Sequence, residues 1–176
     1  GPLKQLYVRI TEAIRKTGDE HLIFIEGNCW ANNHNGIWPA WETNLVLSFH
    51  KYWSLNDQAS IQGFINLSNE HNVPLWMGEA GENSNTWFRN AIKLLEQNNI
   101  GWAWWPMKKV GSVVNPMTIV KNEGYTDLLD YWSNGGAKPS KETAINGLNQ
   151  LLENLKIQNN TYRPDVVDAM IRQQTS

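Results

Sequence analysis

The sequence has a single cysteine, Cys29, in 176 residues. One thiol makes neither an internal disulfide nor a thiolate zinc site. A basic surplus is absent as well: 15 Lys+Arg stand against 17 Asp+Glu, for a net charge of −2. Nucleic-acid-binding domains normally carry a positive excess, so nucleic acid is not an expected partner. No apolar run approaches the roughly 20 residues that a spanning helix needs, and the mean hydropathy is −0.50; a membrane is not expected either. Repeats, heptads and low-complexity tracts are missing. What is abundant is tryptophan, ten residues of 176, more than a core of this size needs. Planar rings of this kind make platforms for flat apolar faces.

By length the chain is one domain with ample material for a core. Gly1-Pro2 resembles a protease-cleavage scar, which leaves 3–158 as the folded body and 159–176 as a C-terminal tail. From Leu3 to Lys16, Leu6, Ile10, Ala13 and Ile14 recur at helical spacing until Gly18. Leu22-Ile23-Phe24-Ile25 reads as a buried strand, followed by an Asn- and Trp-rich loop over 28–43. Further strands are expected over Asn44–Tyr52, Val73–Glu79 and Ile100–Trp105. Helices are expected over 60–71, after Ser84 or Asn85, and after Ser140. Between Trp105 and about Pro139 the Gly, Asn and Pro punctuation reads as one long loop. Near-continuous apolar strands alternating with helices indicate an α/β fold of parallel βαβ units.

Strand side chains alternate between two faces. Leu45, Leu47 and Phe49 suit packing under helices, while Val46, Ser48, His50 and Tyr52 form the other set. Phe24, Glu26, Asn28 and Trp30 share one parity, and Leu75, Met77 and Glu79 share another. Trp102 and Trp104 fall together, opposite Gly101, Ala103 and Trp105. Glu26, His50, Tyr52, Glu79 and Trp105 thus gather at the C-terminal strand ends, the rim that carries active sites in α/β barrels. Plainer readings stand beside each: a solvated strand-end carboxylate for Glu79, a half-buried histidine for His50, core packing for Trp102 and Trp104. Loop packing or sugar stacking both suit Trp30, Trp38 and Trp41, and surface charge suits Lys108 and Lys109.

Three segments, in order, resemble the C-terminal half of glycoside hydrolase family 5, the cellulase-like retaining glycosidases. Ser48-Phe49-His50-Lys51-Tyr52 is similar to the His-x-Tyr that ends the family's sixth strand, and Trp76-Met77-Gly78-Glu79-Ala80-Gly81 to the Gly-Glu-x-Gly that ends the seventh. Gly101-Trp102-Ala103-Trp104-Trp105-Pro106-Met107-Lys108 resembles the eighth-strand segment, and His21 to Gly27 the fifth strand. The resemblance implies strands five to eight of a (β/α)8 TIM barrel and hydrolysis of a β-1,4-glucan with retention. That chemistry uses two carboxyls about 5–5.5 Å apart, one attacking the anomeric carbon and one protonating the leaving oxygen. Glu79 would be the nucleophile, Tyr52 a donor to it, and His50 a holder of a hydroxyl or a neighbouring side chain. Trp105 would stack on the sugar, Trp30 or Trp38 would extend the platform, and Glu26 and Lys108 would complete the substrate contacts. No metal or organic cofactor is implied. Mannan, xylan and mixed-linkage glucan are alternatives on the same scaffold, as is a non-catalytic carbohydrate-binding or assembly module.

The family's acid/base lies in an Asn-Glu-Pro motif, and the chain has none: neither Asn69-Glu70-His71 nor Asn122-Glu123-Gly124 continues with Pro. Glu26 or Glu82 remains as a substitute acid. The expectation is therefore a half-barrel whose parent enzyme is longer and commonly secreted, and which alone is inactive or very weak. Its open edges should be completed by the N-terminal half-barrel or by a second copy, as a homodimer or higher oligomer.

Overall fold

The computed structural model describes residues 1–172, which form two compact units, Gly1–Trp105 and Pro106 onward. The first unit runs α1 (Pro2–Arg15), β1 (Ile23–Glu26), a single turn α2 (Asn28–Ala31), β2 (Leu45–Lys51), α3 (Ala59–His71), β3 (Leu75–Ala80), α4 (Asn85–Gln97) and β4 (Gly101–Trp102). Its four strands are parallel in the order β1-β2-β3-β4. Both faces of β2 are covered: Leu45, Leu47 and Phe49 on one side and Val46 and Ser48 on the other are all buried. That explains the unbroken apolar run in its sequence. Phe49, Ile61, Met77 and Leu95 form one cluster, with Phe49 stacked on Phe64 at 4.2 Å. Trp102 and Trp104 pack against this cluster, so both belong to the core as expected. Ser84 caps α4 by accepting the Trp87 N–H at 3.2 Å.

Two local irregularities decide where the strand ends point. Between β2 and β3 the register slips: Phe49 stands opposite Met77, whereas His50 stands opposite Glu79. Gly78 is the extra residue, and such a bulge re-aims the side chains beyond it. Glu79 therefore does not share a face with Met77, as strict alternation required. Met77 is fully buried with Phe49, and Glu79 faces His50 and Tyr52. After β1, Cys29, Trp30 and Ala31 all have positive φ, from 53° to 63°. This left-handed turn ends the parity that linked Trp30 to Phe24 and Glu26.

The second unit holds β5 (Lys108–Val110), β6 (Met117–Ile119), α5 (Glu123–Asn134), α6 (Lys141–Asn154), β7 (Thr161–Tyr162) and α7 (Pro164–Ile171). β5 pairs with β6 in parallel, and β7 with β6 antiparallel. Asn122 and Ser140 cap α5 and α6, accepting from Tyr125 N and Thr143 N. A Cβ on Gly147 would lie 2.7 Å from Tyr125 N and 3.0 Å from Gly124 Cα, so glycine allows α5 and α6 to approach closely. This unit corrects one expectation. The segment 106–139 is not one loop but carries β5, β6 and α5. The C-terminal piece from 159 on is ordered, with Thr161 and Tyr162 paired with Thr118 and Met117 and Pro164–Ile171 helical; 173–176 lie outside the described residues. β5, β6 and β7 are two or three residues long and lie among Gly, Asn and Pro, so they show no alternation in the sequence.

Candidate functional site

An open cleft of about 620 Å³ lies at the C-terminal ends of β2 and β3, lined by Trp30, Asn32, His50, Tyr52, Trp53, Glu79 and Glu82 among others. The bulge turns Glu79 toward the β2 end. There Glu79 Oε2 accepts the Tyr52 hydroxyl at 2.7 Å, and His50 Nδ1 stands 3.5 Å from the same oxygen. The other ring nitrogen, His50 Nε2, lies 3.1 Å from Glu26 Oε1, which also accepts the Ser48 hydroxyl at 3.0 Å. Glu26, His50, Glu79 and Tyr52 thus form one connected polar chain across three strand ends.

Burial, reinforced by the Glu79 carboxylate at its hydroxyl, pushes the Tyr52 phenol well above its ordinary range. It therefore remains a donor to Glu79 throughout the neutral range. His34 supports the chain from behind, with Nε2 2.9 Å from the Ser48 carbonyl. Burial pulls its imidazolium below the ordinary histidine range, and its Nδ1 has no hydrogen-bond partner among the described residues, as befits a neutral ring donating from Nε2. Next to Tyr52, the buried Lys51 ammonium gives all three of its protons: to Ser54 Oγ at 2.7 Å, the Leu55 carbonyl at 2.7 Å and Ser60 Oγ at 3.2 Å. It also lies 5.6 Å from the Trp87 ring centroid. These contacts tie down the loop that carries Tyr52 and Trp53.

The expected residues separate into three groups. Glu79, His50 and Tyr52 meet directly, Glu26 joins them through His50, and Trp30 lines the cleft with 85% of its surface exposed. Trp105, half exposed, is held by its N–H to the Ala80 carbonyl at 2.7 Å, just past Glu79, without lining the cleft. Trp38 and Lys108 are elsewhere. Trp38 stacks on His71 at 4.5 Å and packs with Ile25, Ile37 and Leu45, so its ring is core packing and not an extension of the platform. Lys108 belongs to the second unit, where its ammonium binds the Leu155 carbonyl. Trp41 likewise stacks on Tyr7. Sequence reasoning passed over Trp53, which is 75% exposed on the cleft wall. Its signal was a large apolar ring followed by Ser54, Asn56 and Asp57. Among the described residues no cluster of three or more His, Cys, Asp or Glu is placed to hold a metal ion.

The family model described as Cellulase (glycosyl hydrolase family 5) matches residues 1–111. Cel5A of Thermotoga maritima, solved in complex with mannotriose, is similar with a TM-score of 0.58 and 16% identity, over 97% of this chain and 54% of that one. The cellulose synthase subunit Z of Clostridioides difficile is similar with a TM-score of 0.57 and 18% identity, over 96% of this chain and 56% of that one. The chain therefore spans about half the length of these two structures, and at such identities the likeness is one of fold. No curated protein matches it significantly. A family model that covers the whole first unit, including every residue of the carboxylate–imidazole chain, carries the conclusion: this chain belongs to glycosyl hydrolase family 5.

Proposed function

We propose that the chain forms the nucleophile-bearing part of a retaining glycoside hydrolase acting on β-1,4-linked glucan. The supporting observation is Glu79 itself, aimed into an open cleft with one carboxylate oxygen engaged by a phenol that stays protonated. In this reading the free oxygen of Glu79 attacks the anomeric carbon. The bond from that carbon to the leaving oxygen breaks, and the leaving oxygen takes a proton from a general acid. Water then cleaves the glycosyl-Glu79 ester, and the configuration is retained through two inversions. The exposed rings of Trp30 and Trp53 on the cleft wall stack on sugar faces, with Trp105 just past Glu79 as a further platform. Mannan is the second substrate class, since Cel5A of T. maritima, similar in fold, is described with both mannotriose and cellobiose.

The same reading completes the sheet from outside. β1 and β4 are its edge strands, and Phe24 is 48% exposed on the face it shares with Trp76. Four further strands, from an N-terminal half-barrel or from a second copy, would close an eight-stranded barrel and bring the general acid in the first case. The chain alone would then turn over little. A clean monomer by light scattering at micromolar concentration would contradict self-association. The experiment for the chemistry is trapping with a dinitrophenyl 2-deoxy-2-fluoro-β-cellobioside, whose leaving group needs no acid. A covalent adduct on Glu79 supports the proposal; carbohydrate binding with no adduct replaces it with a non-catalytic module.

A further inference from the structure

We propose that Glu26 is a positioning residue for the nucleophile: its carboxylate holds the His50 ring so that the opposite nitrogen faces Glu79. This deepens the reading of Glu79 as nucleophile and rests on it. The sequence reading makes Glu26 a rim residue and a candidate substrate contact, yet Ser48 Oγ and His50 Nε2 both converge on its Oε1, at 3.0 and 3.1 Å. The backbone beneath it is clamped from both sides. The Tyr7 hydroxyl, reaching in from α1, donates to the Glu26 carbonyl at 2.8 Å and accepts the Glu26 N–H at 3.2 Å. The ring's own strand is fixed by the His50 N–H bond to Asn32 Oδ1 at 3.3 Å. Space for the arrangement depends on Gly78, where a Cβ would collide with Ser48 Oγ and come within 3.2 Å of Glu26 Oε1.

The chemistry comes from the protons each group is able to offer. An ionised carboxylate only accepts, so Nε2 must carry a proton to bond Glu26. Glu26 thereby selects the tautomer. Nδ1, 3.5 Å from Glu79 Oε2, is then the nitrogen left to face the nucleophile. Two carboxylates face the ring, Glu26 and Glu79, with Tyr52 reaching it through Glu79. A buried aspartate does the same for a catalytic histidine in serine proteases, where it holds tautomer and orientation without reacting.

The test uses the full chain and two readouts. Long-range ¹H–¹⁵N NMR of the imidazole reports which His50 nitrogen is protonated, and the fluoro-cellobioside reports the rate of Glu79 trapping. Expected is a proton on Nε2 in the unsubstituted chain and loss of that preference in Glu26→Gln, whose amide offers either an acceptor or a donor. Trapping by Glu26→Gln should slow by about tenfold to a hundredfold, the scale of a slightly misplaced reacting group. Should Glu26→Gln fold poorly, Tyr7→Phe keeps both carboxylates while loosening the Glu26 backbone, and is expected to move both readouts in the same direction. An unchanged tautomer, or trapping within about twofold of the original rate, overturns the proposal. Absence of trapping in the unsubstituted chain overturns the nucleophile reading instead, and the NMR readout still decides whether Glu26 controls His50.

Discussion

In the first unit a parallel sheet is sealed by large side chains: Ile25, Leu47, Phe49 and Met77 have no exposed surface. Its strand ends carry a carboxylate–imidazole–carboxylate chain. In the second unit the strands are two or three residues long. There side-chain caps and a glycine contact organise α5 and α6, while Trp132 and Leu152 stay about 60% exposed. This contrast locates the part of the chain able to support chemistry. Side chains held to a fraction of an ångström need a backbone that packing has already fixed, and the first unit supplies one under its polar cluster.

The largest expected loss comes from the first unit's core. Phe49→Ala removes a fully buried ring stacked on Phe64 and should cost about 3–5 kcal/mol. Leu128→Ala, at the best-buried position of α5, should cost nearer to about 2 kcal/mol. Urea titration of both variants tests the ranking, and equal losses would erase the distinction drawn between the two cores. Next is a pH effect. Burial pulls the Lys51 ammonium down to about 8, whereas a lysine in the unfolded chain titrates near about 10.4. Between these values the unfolded state holds a proton that the native state has released, so stability rises with pH across that window, by on the order of 2 kcal/mol. Above about pH 10 the raised Tyr52 phenol opposes it, because the unfolded tyrosine ionises first. Lys51→Met should flatten the rise between pH 8 and 10; a slope that persists would place its origin elsewhere.

Smaller effects belong to the second unit. Gly147→Ala places a Cβ against the α5 backbone and should cost about 1–3 kcal/mol, read as faster amide exchange in α5 and α6. Asn122→Ala removes the acceptor for Tyr125 N at 2.9 Å and should cost about 1 kcal/mol. Exchange in α5 that is unchanged in both variants would show that caps and close contact do not hold it.

Sequence reading succeeds in this molecule where burial writes a long pattern. The runs around Ile25 and Leu47, and the apolar stripe of Phe88, Ala91, Ile92 and Leu95, become β1, β2 and α4 with boundaries shifted by a residue or two. The His50-x-Tyr52 and Gly78-Glu79 motifs predicted a meeting that the hydrogen bond of 2.7 Å shows. Alternation failed at Glu79 because a bulge adds one residue, Gly78, and one residue inverts every face after it. Both loop packing and sugar stacking suit Trp38 in the sequence, because composition does not say which side of a loop a ring packs on; His71, 33 positions away in the chain, supplies its stacking partner. The role of Glu26 rests on contacts between residues 19 to 24 positions apart, which no local pattern displays.

Everything proposed for the site depends on Glu79 being a nucleophile already aimed by this chain's own residues. Mass spectrometry of the chain after incubation with the dinitrophenyl fluoro-cellobioside puts that to the test without an added general acid. One fluoroglycosyl adduct is expected, located on the peptide containing Glu79 and lost in Glu79→Gln. An adduct on another carboxylate such as Glu26, or none at all, would refute it.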